Sequence, residues 1–266
     1  MTVTTAFARS RTADRAVLVG YLPAGYPTVE ASIAAINTLI DSGCDIIEVG
    51  LPYSDPVLDG PVIQEAAETA LAAGTRTADV MRVVETVAGR GVPILVMTYW
   101  NPVEKYGVDA FARDLAAAGG SGLITPDLIP EEADEWLAAA EEHHLDRVFL
   151  VAPSSTRERI QRTVAVTSGF VYAQSVMGVT GERDLASTAA PSLVERTREL
   201  TDLPIGVGLG VKSGRQAAEV AGYADAVIVG SAMVNCLRTA PAPSTGLDNL
   251  RGLTIELANG VSRRAD

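Results

Sequence analysis

The feature that most constrains this chain is an alternation of short strand-like runs with longer helix-like runs, repeated to the end of the sequence. Runs rich in β-branched residues are each followed by an Ala-rich amphipathic segment. The eight predicted strands cover residues 16–21, 45–49, 93–98, 122–125, 147–151, 170–173, 204–207 and 226–229. Parallel strands need crossover helices, so eight such units favour a closed (β/α)8 barrel of the α/β class.

An open, doubly wound sheet is the alternative architecture. That fold usually carries a G-x-G-x-x-G turn after its first strand, whereas the turn here reads LPAGYP. With 47% hydrophobic but only 5% aromatic residues, the composition is more typical of strand–helix packing than of a β-sandwich. We therefore predict one barrel domain over residues 1–266, with extra short helices and with residues 1–15 as an N-terminal extension or helix.

Charge and cysteine content restrict the class of protein. A formal net charge of −12 argues against a nucleic-acid surface, because phosphate backbones are bound by clustered Lys and Arg. The two cysteines, Cys44 and Cys236, cannot build a disulfide framework and have no metal-ligand spacing. No leader-like or membrane-spanning apolar stretch is visible, so we expect a cytoplasmic protein without membrane contact.

Several helix boundaries can be predicted from capping residues. Thr28 precedes an apolar face of isoleucines, and Gly43 follows it as a stop signal. Pro130, followed by two glutamates, predicts the start of a helix in PEEADEWLAAAEEHH. Residues 239–246 (TAPAPSTG) are interpreted as a loop before the last helix.

Three loops after the late strands are rich in glycine, which suggests an anion site. They read QSVMGVTGERD, GLGVKSG and GSAMVN, and Gly230-Ser231 opens a short helix in the last of them. Glycines let main-chain N–H groups approach an anion, and a helix N-terminus adds a positive dipole end. Glycine also occurs simply to turn the chain, but the joint occurrence after the last strands of a barrel favours phosphate.

The most unusual stretch is CDIIEVGLPYSDPVLDGPVIQ, because it places a carboxylate in a strand and two more in the following loop. Glu48 lies near the carboxyl end of the second strand, where burial would raise its pKa and suit it to acid/base catalysis. The alternative is a structural Glu paired with a buried cation. Considered alone, Asp59 is more typical of a turn residue.

Other residue types narrow the chemistry. Tyr172 on the sixth strand could reach a ligand, although its periodicity favours the core. No predicted strand contains a lysine for a Schiff base, and no histidine–carboxylate cluster is apparent; His143 and His144 are expected to face solvent. These observations leave an isomerase, aldolase or lyase that moves protons with carboxylates and needs neither a metal nor an organic cofactor.

The assembled motifs resemble the tryptophan synthase alpha subunit family. They are EVGLPYSDPVLDGPVIQEA, PAGYP, TYWNPV, PDLIPEE, FLVAPSS, VYAQSVMGVTG, GVGLGV and VGSAMV, in the family's order and spacing over nearly the whole chain. The resemblance implies a TIM barrel that cleaves indole-3-glycerol phosphate to indole and glyceraldehyde 3-phosphate in tryptophan biosynthesis. The segment from residue 48 to residue 64 is its most specific part.

The resemblance also implies roles for individual residues. Glu48 matches the family's general acid/base, and Asp59 matches the carboxylate that contacts the indole N–H. Asp55 matches a position at the contact with the beta subunit. The remaining matches are substrate contacts at Tyr21, Tyr172 and Thr180, and phosphate contacts at Gly181, Gly210, Gly230 and Ser231.

By the same resemblance the chain works in an α2β2 heterotetramer, passing indole to a beta subunit that carries pyridoxal phosphate; the chain itself needs no cofactor. Two alternatives stay open, a stand-alone lyase that releases free indole and a catalytically idle barrel that activates a beta subunit. The sequence departs from the family at Val176, where many members have Arg. It departs again at Pro126, where an Ala-Asp pair is common, and this change is expected to narrow or stiffen one wall of the indole pocket.

Overall fold

The computed structural model describes residues 1–175 and 183–262. Eight parallel strands follow one another around a closed barrel, and β1 pairs with both β2 and β8. The strands are β1 (Val17–Pro23), β2 (Ile46–Gly50), β3 (Ile94–Met97), β4 (Gly122–Thr125), β5 (Asp146–Val151), β6 (Val171–Gln174), β7 (Ile205–Gly208) and β8 (Ala226–Val229). The predicted (β/α)8 barrel is confirmed, and closure through β1 and β8 excludes the open sheet.

Twelve helices surround or close the barrel within the described residues. They are α1 (Val3–Thr12), α2 (Val29–Asp41), α3 (Pro61–Ala72), α4 (Thr77–Val87), α5 (Trp100–Tyr106), α6 (Val108–Ala117), α7 (Asp134–Glu142), α8 (Arg157–Val166), α9 (Arg183–Arg198), α10 (Gly214–Ala221), α11 (Ser231–Arg238) and α12 (Pro243–Val261). Four of them are extra to the eight repeating units, because α1 precedes β1 and two helices instead of one follow each of β2, β3 and β8.

Helix boundaries follow the capping signals with two exceptions. The Thr28 hydroxyl accepts a hydrogen bond from Ala31 N–H at the start of α2, and Gly43 ends that region with φ +108°. The predicted helix start at Pro130 is wrong, because Pro130–Glu132 forms a separate 3-10 turn before α7 begins. The loop predicted for residues 239–246 is too long, since Pro243 takes the first turn of α12, a position that needs no N–H.

The barrel interior is filled by alternate residues of the strands. Its apolar cluster consists of Val3, Ala6, Phe7, Val17, Val19, Ile46, Leu95, Ile124, Val148, Phe170, Tyr172, Ala226 and Ile228. The first three belong to α1, which covers the amino ends of the strands and sets the Phe7 ring 5.7 Å from that of Phe170. Residue 48 follows inward-facing Ile46 by two positions, so the same alternation points Glu48 into the barrel.

Candidate active site

A cavity opens at the carboxyl ends of the strands, the end at which barrels of this type carry their chemistry. The strands and the loops that follow them contribute its walls. The lining residues are Tyr21, Glu48, Leu58, Asp59, Gly60, Ile63, Met97, Pro126, Leu150, Tyr172, Gln174, Gly208, Leu209, Gly210, Ile228, Gly230 and Ser231. Seven of the ten residues proposed from the sequence are therefore brought together in one cavity.

Glu48 is the most buried ionisable group in this cavity. Its position on β2 is flanked by Tyr21 on β1 and Leu95 on β3, and only 1% of the residue is exposed. Neither carboxyl oxygen has a hydrogen-bond partner within the described part of the chain. Burial raises the pKa of Glu48 to about 8, so the group is protonated at neutral pH. The alternative of a Glu neutralised by a buried cation is thus wrong for the described residues.

Asp59 approaches the same cavity from the loop between β2 and α3. Its side chain is partly buried, and Oδ1 accepts a hydrogen bond of 3.0 Å from the Tyr99 hydroxyl. Its main-chain carbonyl accepts a second bond, of 2.8 Å, from the Gln64 side-chain amide. Burial raises the pKa of Asp59, while the Tyr99 hydrogen bond opposes that rise. Asp59 is therefore held from two sides and does not merely bond within its own turn.

Two buried tyrosines, Tyr21 and Tyr172, stand beside the carboxylates. Burial raises the pKa of each well above its usual value, and negative charge on Glu48 and Asp59 raises it further, so both remain neutral. Each hydroxyl occupies space that a glycine leaves free. A Cβ on Gly50 would lie 2.3 Å from the Tyr21 oxygen, and one on Gly208 would lie 2.5 Å from the Tyr172 oxygen. Both contacts considered for Tyr172 are present, since its side chain packs inside the barrel and also lines the cavity.

The part of the cavity formed by the loops after β7 and β8 has the features of an anion cup. Gly210 adopts φ +72°, a conformation that favours glycine, and an added Cβ there would meet no atom within 4 Å. Gly230 is the N-cap of α11, and Ser231 is its first helical residue. The first N–H groups of a helix lack intrahelical partners and, with the helix dipole, favour a negatively charged ligand. Main-chain donors can thus serve a phosphate here.

Three residues proposed from the sequence remain to be placed. Thr180 and Gly181 fall outside the described residues, as does Val176. Asp55 is exposed in the β2–α3 loop, accepts a 2.6 Å hydrogen bond from the Ser54 hydroxyl, and lines a separate shallow depression with Tyr53 and Pro56. Asp55 therefore faces outward while Asp59, in the same loop, faces the cavity.

Sequence reasoning missed the apolar walls and the residue that holds Asp59. The cavity has a largely apolar slot, lined by Leu58, Ile63, Met97, Leu150 and Leu209. Apolar linings of this kind are typical of sites that bind small organic ligands. Tyr99 lies two positions after the end of β3, so its place near a strand end is the signal in the sequence that could have identified it. Pro126 lines the cavity, which agrees with the expectation that it forms part of that wall.

A histidine–carboxylate group does exist, contrary to the sequence-based expectation. Ligand atoms of Asp109, Glu142 and His143 lie within 4.8 Å of one another, and His143 Nε2 is 3.1 Å from an Asp109 oxygen. Asp109 and Glu142 are exposed, and none of the three residues lines the cavity. His143 thus pairs with a carboxylate instead of facing solvent alone.

The architecture and the cavity together define a class. This is a (β/α)8 barrel whose inner carboxyl, rim carboxylate and main-chain anion cup suit it to proton-transfer chemistry on a small anionic substrate, as in barrel lyases and isomerases. Among the described residues, no helix is both long and apolar enough to cross a membrane.

Comparison with known proteins identifies the family. The profile of the tryptophan synthase alpha chain matches residues 7–261. The chain is 63% identical to the tryptophan synthase alpha chain of Salinispora arenicola over 96% of both chains. A Mycobacterium marinum relative is 60% identical over 97% of this chain and 94% of its own length. This chain belongs to the tryptophan synthase alpha chain family, whose lyase half-reaction is the cleavage of indole-3-glycerol phosphate.

Solved structures agree with this assignment. A crystal structure of tryptophan synthase from M. tuberculosis in its aminoacrylate-bound form superposes with a TM-score of 0.90 at 57% identity, covering 97% of this chain and 98% of that one. The alpha subunit of tryptophan synthase from Legionella pneumophila superposes with a TM-score of 0.89 at 31% identity, covering 98% of each chain. The barrel geometry is therefore retained across relatives of widely differing sequence.

Proposed function

We propose that this chain cleaves indole-3-glycerol phosphate to indole and glyceraldehyde 3-phosphate, with Glu48 moving protons and Asp59 holding the indole nitrogen. The observation that carries the proposal is the state of Glu48. Its carboxyl group is buried and free of hydrogen-bond partners in the described structure, yet it lines the cavity, and burial raises its pKa to about 8. A purely structural carboxyl would be paired, whereas a catalytic one must be able to exchange its proton.

The reaction requires two coordinated proton transfers. Indole C3 gains a proton, the bond from C3 to the first glycerol carbon breaks, and the hydroxyl on that carbon loses its proton as it becomes the aldehyde. The proton lost from oxygen balances the one gained by carbon. A single carboxyl with a raised pKa serves both transfers, because it can donate in one step and accept in the other.

Protonation at C3 makes the indole ring cationic, and the positive charge reaches N1. An anion fixed beside N1 stabilises this charge as it develops. Asp59 supports that role because it lies at the rim of the apolar slot and is held by Tyr99 and Gln64. We assign the phosphate to the main-chain N–H groups at Gly210, Gly230 and Ser231. The family resemblance adds Thr180 and Gly181, with Tyr21 and Tyr172 against the substrate.

We further propose that the chain works in the cytoplasm with a beta subunit in an α2β2 assembly. Support comes from its likeness to an alpha chain solved within tryptophan synthase and from the outward position of Asp55. Pyridoxal phosphate would belong to the partner, which would receive the indole product. The substrate is a small phosphorylated molecule, and the net charge of −12 disfavours nucleic acid.

The test measures indole release from indole-3-glycerol phosphate by the purified chain, with and without the beta subunit. We expect Glu48→Gln to abolish most turnover in both conditions, whereas Glu85→Gln, which changes an exposed carboxylate on α4, leaves turnover unchanged. Full activity in Glu48→Gln would overturn the catalytic assignment. Strong wild-type activity that the partner does not alter would support a stand-alone lyase over the complex.

A further inference from the structure

The side chain that organises the β2–α3 loop comes from outside that loop. Tyr99 is the N-cap residue of α5, two positions after the end of β3, and only 5% of it is exposed. Its hydroxyl accepts a 3.0 Å hydrogen bond from Leu58 N–H and makes a 3.0 Å contact with Asp59 Oδ1. Tyr99 is absent from the cavity lining, so it meets the substrate only through its neighbours.

The direction of these hydrogen bonds follows from their chemistry. An amide N–H can only donate, so the Tyr99 oxygen is the acceptor toward Leu58. The hydroxyl hydrogen is then available to Asp59, whose ionised carboxylate can only accept. Burial raises the pKa of Tyr99 to about 12, so the hydroxyl keeps its hydrogen over the whole neutral range.

The aromatic ring fixes a second point of the same loop. Its centroid lies 5.3 Å from that of Tyr53 at an interplanar angle of 33°. Tyr53 stands near the beginning of the loop, whereas Leu58 and Asp59 stand near its end. Residues 51–60 contain no helix or strand. The contacts of Tyr99 with both parts of the loop therefore replace the support that regular secondary structure would give.

We propose that Tyr99 is a positioning residue for the cleavage reaction, holding the Asp59 carboxylate in place and in its ionised form beside the indole nitrogen. The inference rests on the role of Asp59 given under the proposed function. An ionised carboxylate in a partly desolvated position is costly unless it is hydrogen-bonded. Tyr99 supplies that bond without occupying the substrate slot.

The test is Tyr99→Phe, which removes the hydroxyl and keeps the ring on Tyr53. We expect kcat to fall about tenfold, the effect of losing one hydrogen bond to a charged group, with a smaller change in KM. Tyr106→Phe is the matched control, since its hydroxyl also bonds a carboxylate, Asp114 at 2.6 Å, but on the exposed surface. The control should retain wild-type kcat and KM.

Two further readouts separate positioning from general support. Binding is measured for 3-(indol-3-yl)propyl phosphate and for its benzothiophene analogue, which lacks the N–H group; Tyr99→Phe should reduce the preference for the indole. In Tyr99→Phe the acidic limb of the pH profile of kcat/KM should move to higher pH, because the hydrogen bond from Tyr99 that favours ionised Asp59 is lost. Glu48, Tyr21 and Tyr172 also face Asp59, but the tyrosines stay neutral and Glu48 titrates near the other limb, at about pH 8.

Asp59→Asn distinguishes failure of the inference from failure of the proposed function. If Asp59→Asn keeps full turnover, the role of Asp59 itself is wrong. If Asp59→Asn is inactive while Tyr99→Phe matches wild type in rate, analogue preference and acidic limb, only the Tyr99 inference is overturned. We expect the double variant to be no slower than Asp59→Asn, whereas a further tenfold loss would show that Tyr99 acts independently and would also overturn it.

Discussion

Two partly buried carboxylates at the amino ends of the strands are paired with cations, whereas the most buried carboxyl group of the cavity at the carboxyl ends is not, among the described residues. At the amino ends of the strands, Asp45 is bonded by both terminal nitrogens of Arg15, at 2.7 and 2.6 Å, and by Leu18 N–H at 2.9 Å. Asp225 likewise accepts from Arg198 and from Ile205 N–H, each at 2.9 Å. At the carboxyl ends, Glu48 is more deeply buried and has no partner among the described residues.

The two ends of the barrel also differ in how far apolar side chains fill them. Helix α1 fills the amino end with Val3, Ala6 and Phe7, whereas the carboxyl end is left open as the substrate cavity. One end therefore contributes stability, and the other retains an uncompensated group that costs stability and that we propose to be catalytic. The following variants separate these two properties.

The largest expected effect is on catalysis at the open end. Glu48→Gln should lower kcat by about 10²- to 10⁴-fold, the usual contribution of a general acid/base group. It should not lower the free energy of unfolding at pH 8, because the amide carries no charge to bury. Steady-state indole release and urea unfolding measure the two quantities. A variant that lost folding stability and activity together would contradict the separation of the two ends.

At the closed end, Phe7→Ala should do the opposite. Loss of a buried phenylalanine costs about 3–5 kcal/mol of unfolding free energy. Since Phe7 contacts Phe170 and not the cavity, kcat for the folded fraction should stay within twofold of wild type. Urea unfolding together with active-site-normalised rates tests this expectation, and a large drop in normalised kcat would show that the two ends are coupled.

The pH dependence of stability should also report on Glu48. Its pKa is about 8 when folded and lies near 4.5 when unfolded, so between these values the folded state binds more protons and stability falls as pH rises. Relative to Glu48→Gln, wild type should lose on the order of a few kcal/mol between pH 5 and 8. Urea denaturation of both proteins at several pH values measures this slope. If the unfolding free energies of the two proteins change equally with pH, the raised pKa of Glu48 is refuted.

Crowding around Tyr172, the proposed substrate contact, should give a smaller effect. Gly208→Ala places a Cβ 2.5 Å from the Tyr172 oxygen, so the ring must shift within the cavity. We expect about a tenfold loss in kcat/KM, consistent with the cost of over-packing a tight site. Combining it with Tyr172→Phe should recover part of the loss, because the clashing oxygen is removed. Additive losses in the double variant would rule out this steric account.

The smallest effect is expected away from both ends. Gly252 lies exposed in the middle of α12, and an added Cβ meets no atom within 4 Å. Gly252→Ala should raise the free energy of unfolding by about 0.5–1 kcal/mol through helix propensity and leave kinetics unchanged. Gly252→Ala serves as the control for Gly208→Ala, because the two variants carry the same substitution in different surroundings.

The sequence by itself determined the barrel and the position of Glu48. Strand runs, caps such as Thr28 and the order of βα units depend on local chemistry, and local chemistry can be read along the chain. Family motifs added the roles proposed for Asp59, Gly210, Gly230 and Ser231. The exact start of α12 and the 3-10 turn at Pro130–Glu132 were missed, because several residues near each boundary satisfy the same local preferences.

Only the tertiary structure decided which groups have partners. Asp45 immediately precedes β2 and Glu48 lies three residues later, inside the strand. Nothing local predicts that Glu48 has no partner among the described residues while Asp45 is bonded by Arg15. The contact between Tyr99 and Asp59 joins positions 40 residues apart. Position 208 needs a glycine because the Tyr172 hydroxyl, from the neighbouring strand, occupies the space of a Cβ. Such contacts arise when closure of the barrel brings distant segments together. They determine the pKa of Glu48 and the position of Asp59, on which the proposed chemistry depends.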